Sequence, residues 1–323
     1  MIRPETIRRV RERFPGAIIH EDEPLSRWTT FRVGGPADAL FIPRDEDELA
    51  FALSAARASG DPVTVIGNGS NLLVRDGGIR GLTIRVATPR GQSDDQRGGL
   101  AGAAIDGVKL DVGAGVTLTA ASRLAANAGL SGMEPISGIP GTVGGAAWMN
   151  AGAYDGEMAH VVTAVTALTA SGPAGDPFDQ VERVVFAGSK LAFRYRGSAM
   201  MDAGVIITRV EFTLKPDDPA LVNGRMADYT RRRKSKQPLS EASAGSFFKR
   251  PPGHFAGALI EAAGLKGFAV GGAMVSPTHA GFIVNRGGAT AREVIALRDE
   301  VVRRVLDNSG VTLEPEVRVI GDE

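Results

Sequence analysis

Residues 137–154 read S-G-I-P-G-T-V-G-G-A-A-W-M-N-A-G-A-Y. This segment contains five glycines, and most of its other residues are small. Because glycine lacks the side chain that would hold a ligand off the backbone, such a segment can lie against a large planar or pyrophosphate-bearing ligand. Close packing of strands is the alternative use of these glycines.

A second glycine-rich stretch, residues 65–74, reads V-I-G-N-G-S-N-L-L-V and follows a strand-like run. In that context backbone N–H groups can converge on a phosphate. Leu72 stands where the dinucleotide fingerprint requires its third glycine, and no Lys-Ser or Lys-Thr pair completes a P-loop. A tight turn is the alternative, but two such loops in one chain favour one extended ligand.

The composition of the chain is that of an ordinary soluble protein. Its 323 residues are enough for two or three subdomains, and 43% of them are hydrophobic. Lys plus Arg and Asp plus Glu number 37 each, so no global field favours nucleic acid. The absence of cysteine excludes disulfides and thiolate metal sites, so any redox chemistry requires a cofactor. Neither a signal peptide nor a membrane span is indicated, and a cytoplasmic location is expected.

The N-terminal part alternates strand and helix signals. Strands are predicted at 37–43, 62–66 and 108–112, and helices at 45–60 and 117–129, each helix ended by a glycine. The polar segment 91–103 indicates an exposed loop at a subdomain boundary, and the wider stretch 89–107 is expected to be surface loop. The class is therefore mixed α and β.

The C-terminal part begins after K-P-D-D-P, near residue 217. A short helix is predicted at 255–262, before Gly264. A longer helix begins with the capping box T-A-R-E at Thr290 and ends near Gly310. The alternation in 311–321 is typical of a half-buried strand.

Seven ordered motifs resemble the UDP-N-acetylenolpyruvoylglucosamine reductase family and cover nearly the whole chain. Besides the two glycine-rich loops these are F-R-V-G-G-P-A-D near residue 31, F-R-Y-R-G-S at 193–198, S-A-G-S-F-F-K-R-P from Ser243, H-A-G-F-I-V-N at 279–285 and the C-terminal L-E-P-E-V-R-V-I-G. The S-A-G-S motif resembles the subtype with a compact substrate domain.

The resemblance implies an α+β architecture with a vanillyl-alcohol-oxidase/PCMH-type FAD-binding fold. Two α+β subdomains would hold FAD, and a C-terminal α+β domain would bind the UDP-sugar. The expected boundaries are 1–87, 88–216 and 217–312, with the tail 313–323 a candidate to return to the first subdomain. A monomer without nucleic-acid partners or membrane insertion is expected.

The implied reaction uses non-covalent FAD, with NADPH as the reductant. It reduces the enolpyruvyl double bond of UDP-N-acetylglucosamine enolpyruvate to give UDP-N-acetylmuramate for peptidoglycan synthesis, cell-wall biogenesis, cell shape and division. The alternative is an FAD-dependent oxidase or dehydrogenase of the same fold that acts on another small substrate.

Three residues match the family's catalytic positions. Ser246 lies between Gly245 and two phenylalanines, with no nearby histidine in sequence that would make it a nucleophile. The resemblance makes it the proton donor to the carbanion that hydride addition leaves. Arg196 matches the arginine that polarises the substrate carboxylate, and Glu316 matches the glutamate that assists the enolic intermediate. Arg194 and Glu314 would share strand faces with these two, and the motif alone selects between them.

The remaining expected site residues fall into a cofactor set and a substrate set. The cofactor set is Gly67, Asn68, Gly69, Ser70, Asn71, Gly138, Ile139, Pro140, Gly141, Thr142, Gly144, Gly145, Asn150 and Gly152. The substrate set is Tyr195, Lys234, Lys249 and Arg250. Lys234 belongs to the basic run 231–236, for which a solvated helix face is the alternative. With four scattered histidines no metal site is expected, and His279 is expected to be structural.

Overall fold

The computed structural model describes residues 2–88, 99–170 and 181–323. Within these ranges the chain forms eight α-helices: α1 Pro4–Arg13, α2 Glu46–Ser59, α3 Leu118–Asn127, α4 Val143–Trp148, α5 Ala199–Ala203, α6 Pro219–Lys236, α7 Ala256–Ala262 and α8 Ala291–Ser309. Both of the longer helices predicted from capping signals, α2 and α8, are present.

The same ranges contain nineteen strands. The first ten are β1 Ile18–Pro24, β2 Pro36–Ile42, β3 Val63–Ile66, β4 Leu72–Val74, β5 Ile79–Arg85, β6 Ala103–Asp106, β7 Lys109–Gly113, β8 Leu130–Ser131, β9 Gly152–Ala153 and β10 Gly156–Glu157. The others are β11 Val162–Ala170, β12 Val181–Ala187, β13 Ile206–Thr213, β14 Lys215–Pro216, β15 Ala242–Ser246, β16 Ala269–Val270, β17 Ala273–Val275, β18 Phe282–Asn285 and β19 Arg318–Ile320.

Three larger sheets organise most of these strands. Their strand orders are β1-β2-β5-β3, β12-β11-β13-β7-β6 and β15-β18-β17-β16. The pairing of β3 with β5 is parallel, whereas the pairings resolved in the other two sheets are antiparallel. Three two-stranded pairings, β10-β9, β14-β8 and β19-β4, complete the topology of the described residues.

The chain divides into two compact units. The first comprises Met1–His20, Ala39–Asn68 and Gly81–Arg231, and the second comprises Glu21–Asp38, Gly69–Arg80 and Arg232–Glu323. The boundaries of the three domains expected from the sequence stay a prediction.

The first unit has one continuous apolar core, to which α2 and α3 contribute. The Asp45 carboxylate accepts the Glu48 N–H at 2.9 Å and caps α2, which ends at Gly60 with φ +67°. Thr117 caps α3 in the same way, accepting the Ala120 N–H at 3.2 Å. The starts of both helices and the end of α2 match the local signals, whereas α3 ends at Asn127, two residues before the predicted Gly129.

The second unit has its own core, built on the β15-β18-β17-β16 sheet, α7 and α8. One face of α8 is apolar and fully buried: Val294, Leu297, Val301 and Val305. Phe31 and Phe247 meet edge-on in this core, with ring centroids 6.4 Å apart. The core thus fixes the strand that carries Ser246.

Two expectations for the chain were wrong. Part of 89–107 lies outside the described residues, but Ala103–Asp106 forms β6, an edge strand paired with β7 through a turn at Gly107. The C-terminal strand predicted over 311–321 is shorter, because only Arg318–Ile320 pairs, in parallel with Leu72–Val74. Pro315 cannot donate a backbone hydrogen bond, and it forms an isolated bridge with Phe248.

Candidate active site

In the first unit, the beginning of the 65–74 loop lies against the 137–154 segment. A Cβ on Gly67 would stand 2.6 Å from Thr142 Oγ1, so a larger residue would displace the threonine. Thr142 caps α4 by accepting the Gly145 N–H at 3.3 Å. The Asn68 amide donates to the Pro140 carbonyl at 3.4 Å. The structure thus brings together members of both predicted cofactor loops.

A buried arginine stands behind this loop. Arg85, at the end of β5, is 7% exposed and donates from Nη2 to Asn68 Oδ1 at 3.0 Å. A buried guanidinium favours a negative partner. Sequence reasoning missed Arg85, although a charged residue within the apolar run L-T-I-R-V was a usable signal.

The rest of the 65–74 loop belongs to the second unit. Gly69 has φ +62°, and a Cβ there would lie 2.5 Å from the Trp28 carbonyl oxygen. The Asn71 amide donates to the Glu316 carbonyl at 3.3 Å, and the Arg318 N–H donates to the Asn71 carbonyl at 3.1 Å. Ser70 lies between these two anchored residues. Contacts on both sides of Ser70 therefore fix the loop. The close approach of the Trp28 carbonyl is possible only because residue 69 is glycine.

Not every glycine of the 137–154 segment is needed for a ligand. A Cβ on Gly144 would stand 2.7 Å from the Ala114 Cβ, and one on Gly152 would stand 2.8 Å from the Glu157 Cβ. Close packing explains both. Gly141 accepts the Leu118 N–H at 3.0 Å, and Ile139 packs against the core.

The donors of these loops fit FAD. Asn68, Ser70 and Asn71 supply amide and hydroxyl groups, while Gly67 and Gly69 leave no room for a Cβ in their loop. Arg85 adds positive charge behind Asn68. In the first unit, the Asn68 amide and the backbone at Gly67 beside a buried cation suit a pyrophosphate.

Arg196 lies in a tight turn of the first unit, which corrects the expectation of a strand face shared with Arg194. Arg194 and Gly197 exchange two backbone hydrogen bonds of 3.0 Å, so Tyr195 and Arg196 form the turn between them. The Arg196 backbone has φ +53°, a conformation that favours glycine or asparagine. The Arg194 guanidinium binds the Asp202 carboxylate at 2.6 Å. The two arginines therefore have different surroundings.

Other groups hold this turn from behind. The fully buried Asn150 donates from Nδ2 to the Arg194 carbonyl at 3.1 Å and accepts the Ala159 N–H at 2.9 Å. Tyr195 is 54% exposed, and the Arg196 Cζ lies 5.0 Å from its ring centroid. The Asn150 side chain, expected to contact the cofactor, is thus used to support the turn.

Ser246 ends β15 immediately after a β-bulge. Ser243 pairs with Val284 and Ser246 pairs with Phe282, so β15 contains one residue more than β18 between these pairs. Gly245, within the bulge, has φ +80°. Bulges re-aim the side chains that follow them, and the Ser246 side chain is exposed.

One residue, Phe247, connects Ser246 to Glu316 in the second unit through its backbone. Phe247, the residue after Ser246, donates its N–H to the Gly281 carbonyl at 2.8 Å. Its carbonyl accepts the Glu316 N–H at 2.8 Å. The structure therefore brings these two predicted catalytic residues together through backbone hydrogen bonds, while Arg196 belongs to the first unit.

Glu314 and Glu316 have different surroundings, as Arg194 and Arg196 do. Glu314 is exposed and binds Lys249 twice, through the side chains at 3.1 Å and through the Lys249 N–H to its carbonyl at 2.8 Å. Glu316 is half-buried. Lys249, expected in the substrate set, thus has a carboxylate partner in the structure.

The other basic candidates are on the surface. Arg250 is exposed, and its Cζ lies 4.1 Å from the ring centroid of Phe255. Lys234 is exposed near the C-terminal end of α6. Within residues 2–88, 99–170 and 181–323, no group of three His, Cys, Asp or Glu side chains could hold a metal ion.

Comparison with known proteins first defines the class. Residues 37–174 match the FAD binding domain family, and residues 237–320 match the C-terminal domain of UDP-N-acetylenolpyruvoylglucosamine reductase. The expected α+β class and FAD-binding fold are confirmed. The chain is thus built as a flavoprotein oxidoreductase with a specialised C-terminal domain.

Full-length relatives then define the family. The chain is 43% identical to the UDP-N-acetylenolpyruvoylglucosamine reductases of Pediococcus pentosaceus and Streptococcus thermophilus, over 97% of its length and 98% and 97% of theirs. The crystal structure of the Thermus caldophilus enzyme matches with a TM-score of 0.71 and 38% identity, covering 94% of this chain and 98% of that one. The chain belongs to the UDP-N-acetylenolpyruvoylglucosamine reductase family, which confirms the resemblance seen in the sequence.

None of the helices in the described ranges is both long enough and apolar enough to cross a bilayer.

Proposed function

We propose that this protein is an NADPH-dependent FAD enzyme that reduces the enolpyruvyl double bond of UDP-N-acetylglucosamine enolpyruvate. The product is UDP-N-acetylmuramate, a precursor of peptidoglycan. Family membership over nearly the whole chain supports this proposal. The cytoplasm is the expected location, and a monomer the expected state.

The two glycine-rich loops are proposed to hold FAD. Backbone groups of Gly67, Gly69 and Gly138 and the side chains of Ser70 and Asn71 would contact its pyrophosphate. Arg85 would keep Asn68 in place, as its 3.0 Å hydrogen bond suggests. When bound, FAD supplies hydride transfer from NADPH to the enolpyruvyl carbon.

The chain's own residues then have to manage charge and one proton. Hydride on the β carbon leaves negative charge at the α carbon, delocalised into the carboxylate. Arg196 would hold that carboxylate, because a guanidinium presents two parallel donors to its oxygens. Ser246 would give its hydroxyl proton to the α carbon and recover one from solvent, and Glu316 would hydrogen-bond the enolic form.

The single observation that carries this assignment is the hydrogen bonding of the Phe247 backbone. Its hydrogen bond to Glu316 makes the proposed proton donor and the proposed enol partner neighbours within one unit. A serine is a weak acid in water, so its role depends on placement within hydrogen-bond distance of the reacting carbon. The backbone hydrogen bond between Phe247 and Glu316 supports such placement.

Basic side chains are proposed to meet the substrate diphosphate. Arg250 and Lys234 are exposed, so either can turn towards an anion without losing a buried contact. Lys249 would have to exchange Glu314 for a phosphate. Because such surface pairs contribute little, the exchange costs about 1 kcal/mol or less.

An anaerobic visible spectrum tests the proposed reaction. The purified protein should be yellow, should bleach with NADPH, and should recover its oxidised flavin band when UDP-N-acetylglucosamine enolpyruvate is added. Bleaching without recovery would refute the substrate assignment. A colourless protein that cannot be reconstituted with FAD would refute the flavoenzyme proposal.

A further inference from the structure

His279 lies in the turn between β17 and β18, close to the strand that carries Ser246. Its Nδ1 accepts the Gly281 N–H at 3.1 Å, and its ring meets Phe282 edge-on at 5.0 Å between centroids. A Cβ on Gly257, in the first turn of α7, would stand 3.2 Å from the histidine Cε1. The imidazole is thus packed on two sides, and its hydrogen bond fixes the Gly281 peptide.

The strand that carries Ser246 is anchored at the backbone of Gly281 and the next residue. The Gly281 carbonyl accepts the Phe247 N–H at 2.8 Å, and the next residue, Phe282, pairs with Ser246. The Phe247 carbonyl in turn accepts the Glu316 N–H at 2.8 Å. Backbone hydrogen bonds of Gly281 and Phe247 therefore link the imidazole to Glu316 and to the strand position of Ser246.

The hydrogen bond to Gly281 requires an unprotonated Nδ1. The proton of the neutral ring is then on Nε2. Burial lowers the pKa of His279, a hydrogen bond with its own backbone opposes the shift, and the nearby charges of Lys266 and Glu261 lower and raise the pKa respectively. Lys266 and Glu261 form an ion pair with each other at 2.7 Å. The neutral, accepting form is thus favoured at neutral pH.

We infer that His279 is a positioning residue, which holds Ser246 and Glu316 in register through the backbones of Gly281 and Phe247. This inference rests on the proposed function, because it assigns His279 to the proton-delivery step. His279 itself need not touch the substrate.

Two substitutions of His279 separate the hydrogen bond from the ring. In His279→Asn, the amide oxygen occupies the place of Nδ1 on the same Cγ and can accept the N–H two residues on, as in an Asx-turn. His279→Leu keeps bulk and loses the acceptor. The exposed His254 of the same unit, changed to Asn and Leu, provides the matched control.

The two half-reactions should respond differently. In His279→Leu, reoxidation of the flavin by substrate should slow about tenfold or more, since small misplacement of a reacting group is costly. Reduction by NADPH should stay within about twofold of wild type, and His279→Asn should recover most of the reoxidation rate. Equal slowing of both half-reactions, or no rescue by asparagine, would overturn the inference.

The pH profile is a second readout, which remains available if the leucine variant fails to fold. In the wild type, reoxidation should fall as acid protonates Nδ1, at a pH below the ordinary histidine pKa of about 6.5. His279→Asn should lack this fall, since an amide does not titrate. The same acid profile in both proteins would count against the inference.

Ser246→Ala distinguishes failure of the inference from failure of the proposed function. If that variant reoxidises at the wild-type rate, the proton-donor role of Ser246 is wrong. If Ser246→Ala is slow and His279→Leu is not, the function stands and the positioning role of His279 is wrong.

Discussion

Left-handed backbone occurs at two residues next to the proposed chemistry. Arg196 has φ +53° and Gly245 has φ +80°. A residue with a Cβ in this region costs about 1–2 kcal/mol, so a non-glycine residue there calls for a compensating reason. At Arg196 the turn places beside Tyr195 the guanidinium that is proposed to hold the substrate carboxylate. At Gly245 the glycine avoids the cost and lets the bulge turn Ser246 outward.

The first prediction concerns strain at Arg196. Arg196→Gly should be more stable than Arg196→Ala by about 1 kcal/mol, because both lose the guanidinium and only alanine keeps the strained Cβ. Chemical denaturation measures the difference. At Tyr195, which lacks a positive φ, the order should reverse and alanine should be the more stable. If alanine is the more stable at Arg196 as well, the turn is not strained there.

Both Arg196 variants should lose the substrate half-reaction. Reoxidation by substrate should fall about 100-fold or more, as for removal of one transition-state donor, while reduction by NADPH persists. Stopped-flow absorbance at the flavin band separates the two steps. Loss of bound FAD instead would show that Arg196 serves the cofactor.

The second prediction concerns the bulge before Ser246. Gly245→Ala meets no atom within 4 Å, so its cost is backbone strain of about 1 kcal/mol, and it should also misdirect Ser246. Gly253→Ala is the control, since Gly253 has φ +73° and equally open surroundings in the same unit. The two variants should lose similar stability, yet only Gly245→Ala should slow flavin reoxidation. Equal rates would show that the bulge does not direct Ser246.

At the scale of an element, α8 has an unusually complete N-terminus. The Asp76 carboxylate accepts the N–H groups of Ala291 and Arg292 at 2.8 and 3.0 Å. Thr290 Oγ1 accepts the Glu293 N–H, and the Glu293 carboxylate accepts the Thr290 N–H, which lowers the pKa of Glu293. The first three N–H groups of the helix thus all have acceptors, and two of these are supplied by a distant residue.

The third prediction follows for Asp76. Asp76→Ala should lower the free energy of unfolding by about 1–2 kcal/mol, because it removes two acceptors and a negative charge from a helix N-terminus. Asp76→Asn should cost less, since one acceptor oxygen remains. Asp299→Ala, which removes an exposed carboxylate of α8, should change stability by no more than about 0.5 kcal/mol. An Asp76→Ala protein as stable as this control would exclude the capping role.

How far the sequence predicts these elements depends on the distance between the cooperating residues. The N-terminal cap of α8 was predicted because Thr290 and Glu293 are three residues apart, and the end of α2 was predicted from the adjacent Gly60. The Asp76 contribution was not, because it is 215 residues from the helix. Strand β6 was missed for a different reason: its partner β7 follows directly after a turn at Gly107, but the polar, glycine-rich segment 91–103 before it was interpreted as a loop.

In the candidate site too, local motifs were visible in the sequence and contacts between distant residues were not. Motifs selected Ser246, Arg196 and Glu316, which lie at a bulge, in a turn and outside regular secondary structure, and their roles stay predictions. The φ of Arg196 and the hydrogen bonds that link His279 to Phe247 were not visible in the sequence. Each depends on tertiary contacts that no local pattern encodes.

At the scale of the whole molecule, equal numbers of acidic and basic residues leave no net field to attract an anionic substrate. Recognition of a diphosphate must therefore use local charge. Binding should weaken only modestly with salt, as a few partly exposed cations are involved rather than a basic surface.

Ligand linkage provides the last prediction, because a ligand that binds only the folded chain stabilises that chain by mass action. FAD at about 100 times its Kd should add about 2.7 kcal/mol, seen as a rise in Tm of several degrees. Gly67→Ala should lose most of this rise, since its Cβ would stand 2.6 Å from Thr142 Oγ1. Gly224→Ala, on α6 with no atom within 4 Å, should keep the rise and gain about 1 kcal/mol without FAD. Ser246→Ala should also keep it, because Ser246 is proposed to serve the substrate alone. Differential scanning calorimetry with and without FAD measures all four proteins, and a full FAD shift in Gly67→Ala would remove Gly67 from the cofactor site.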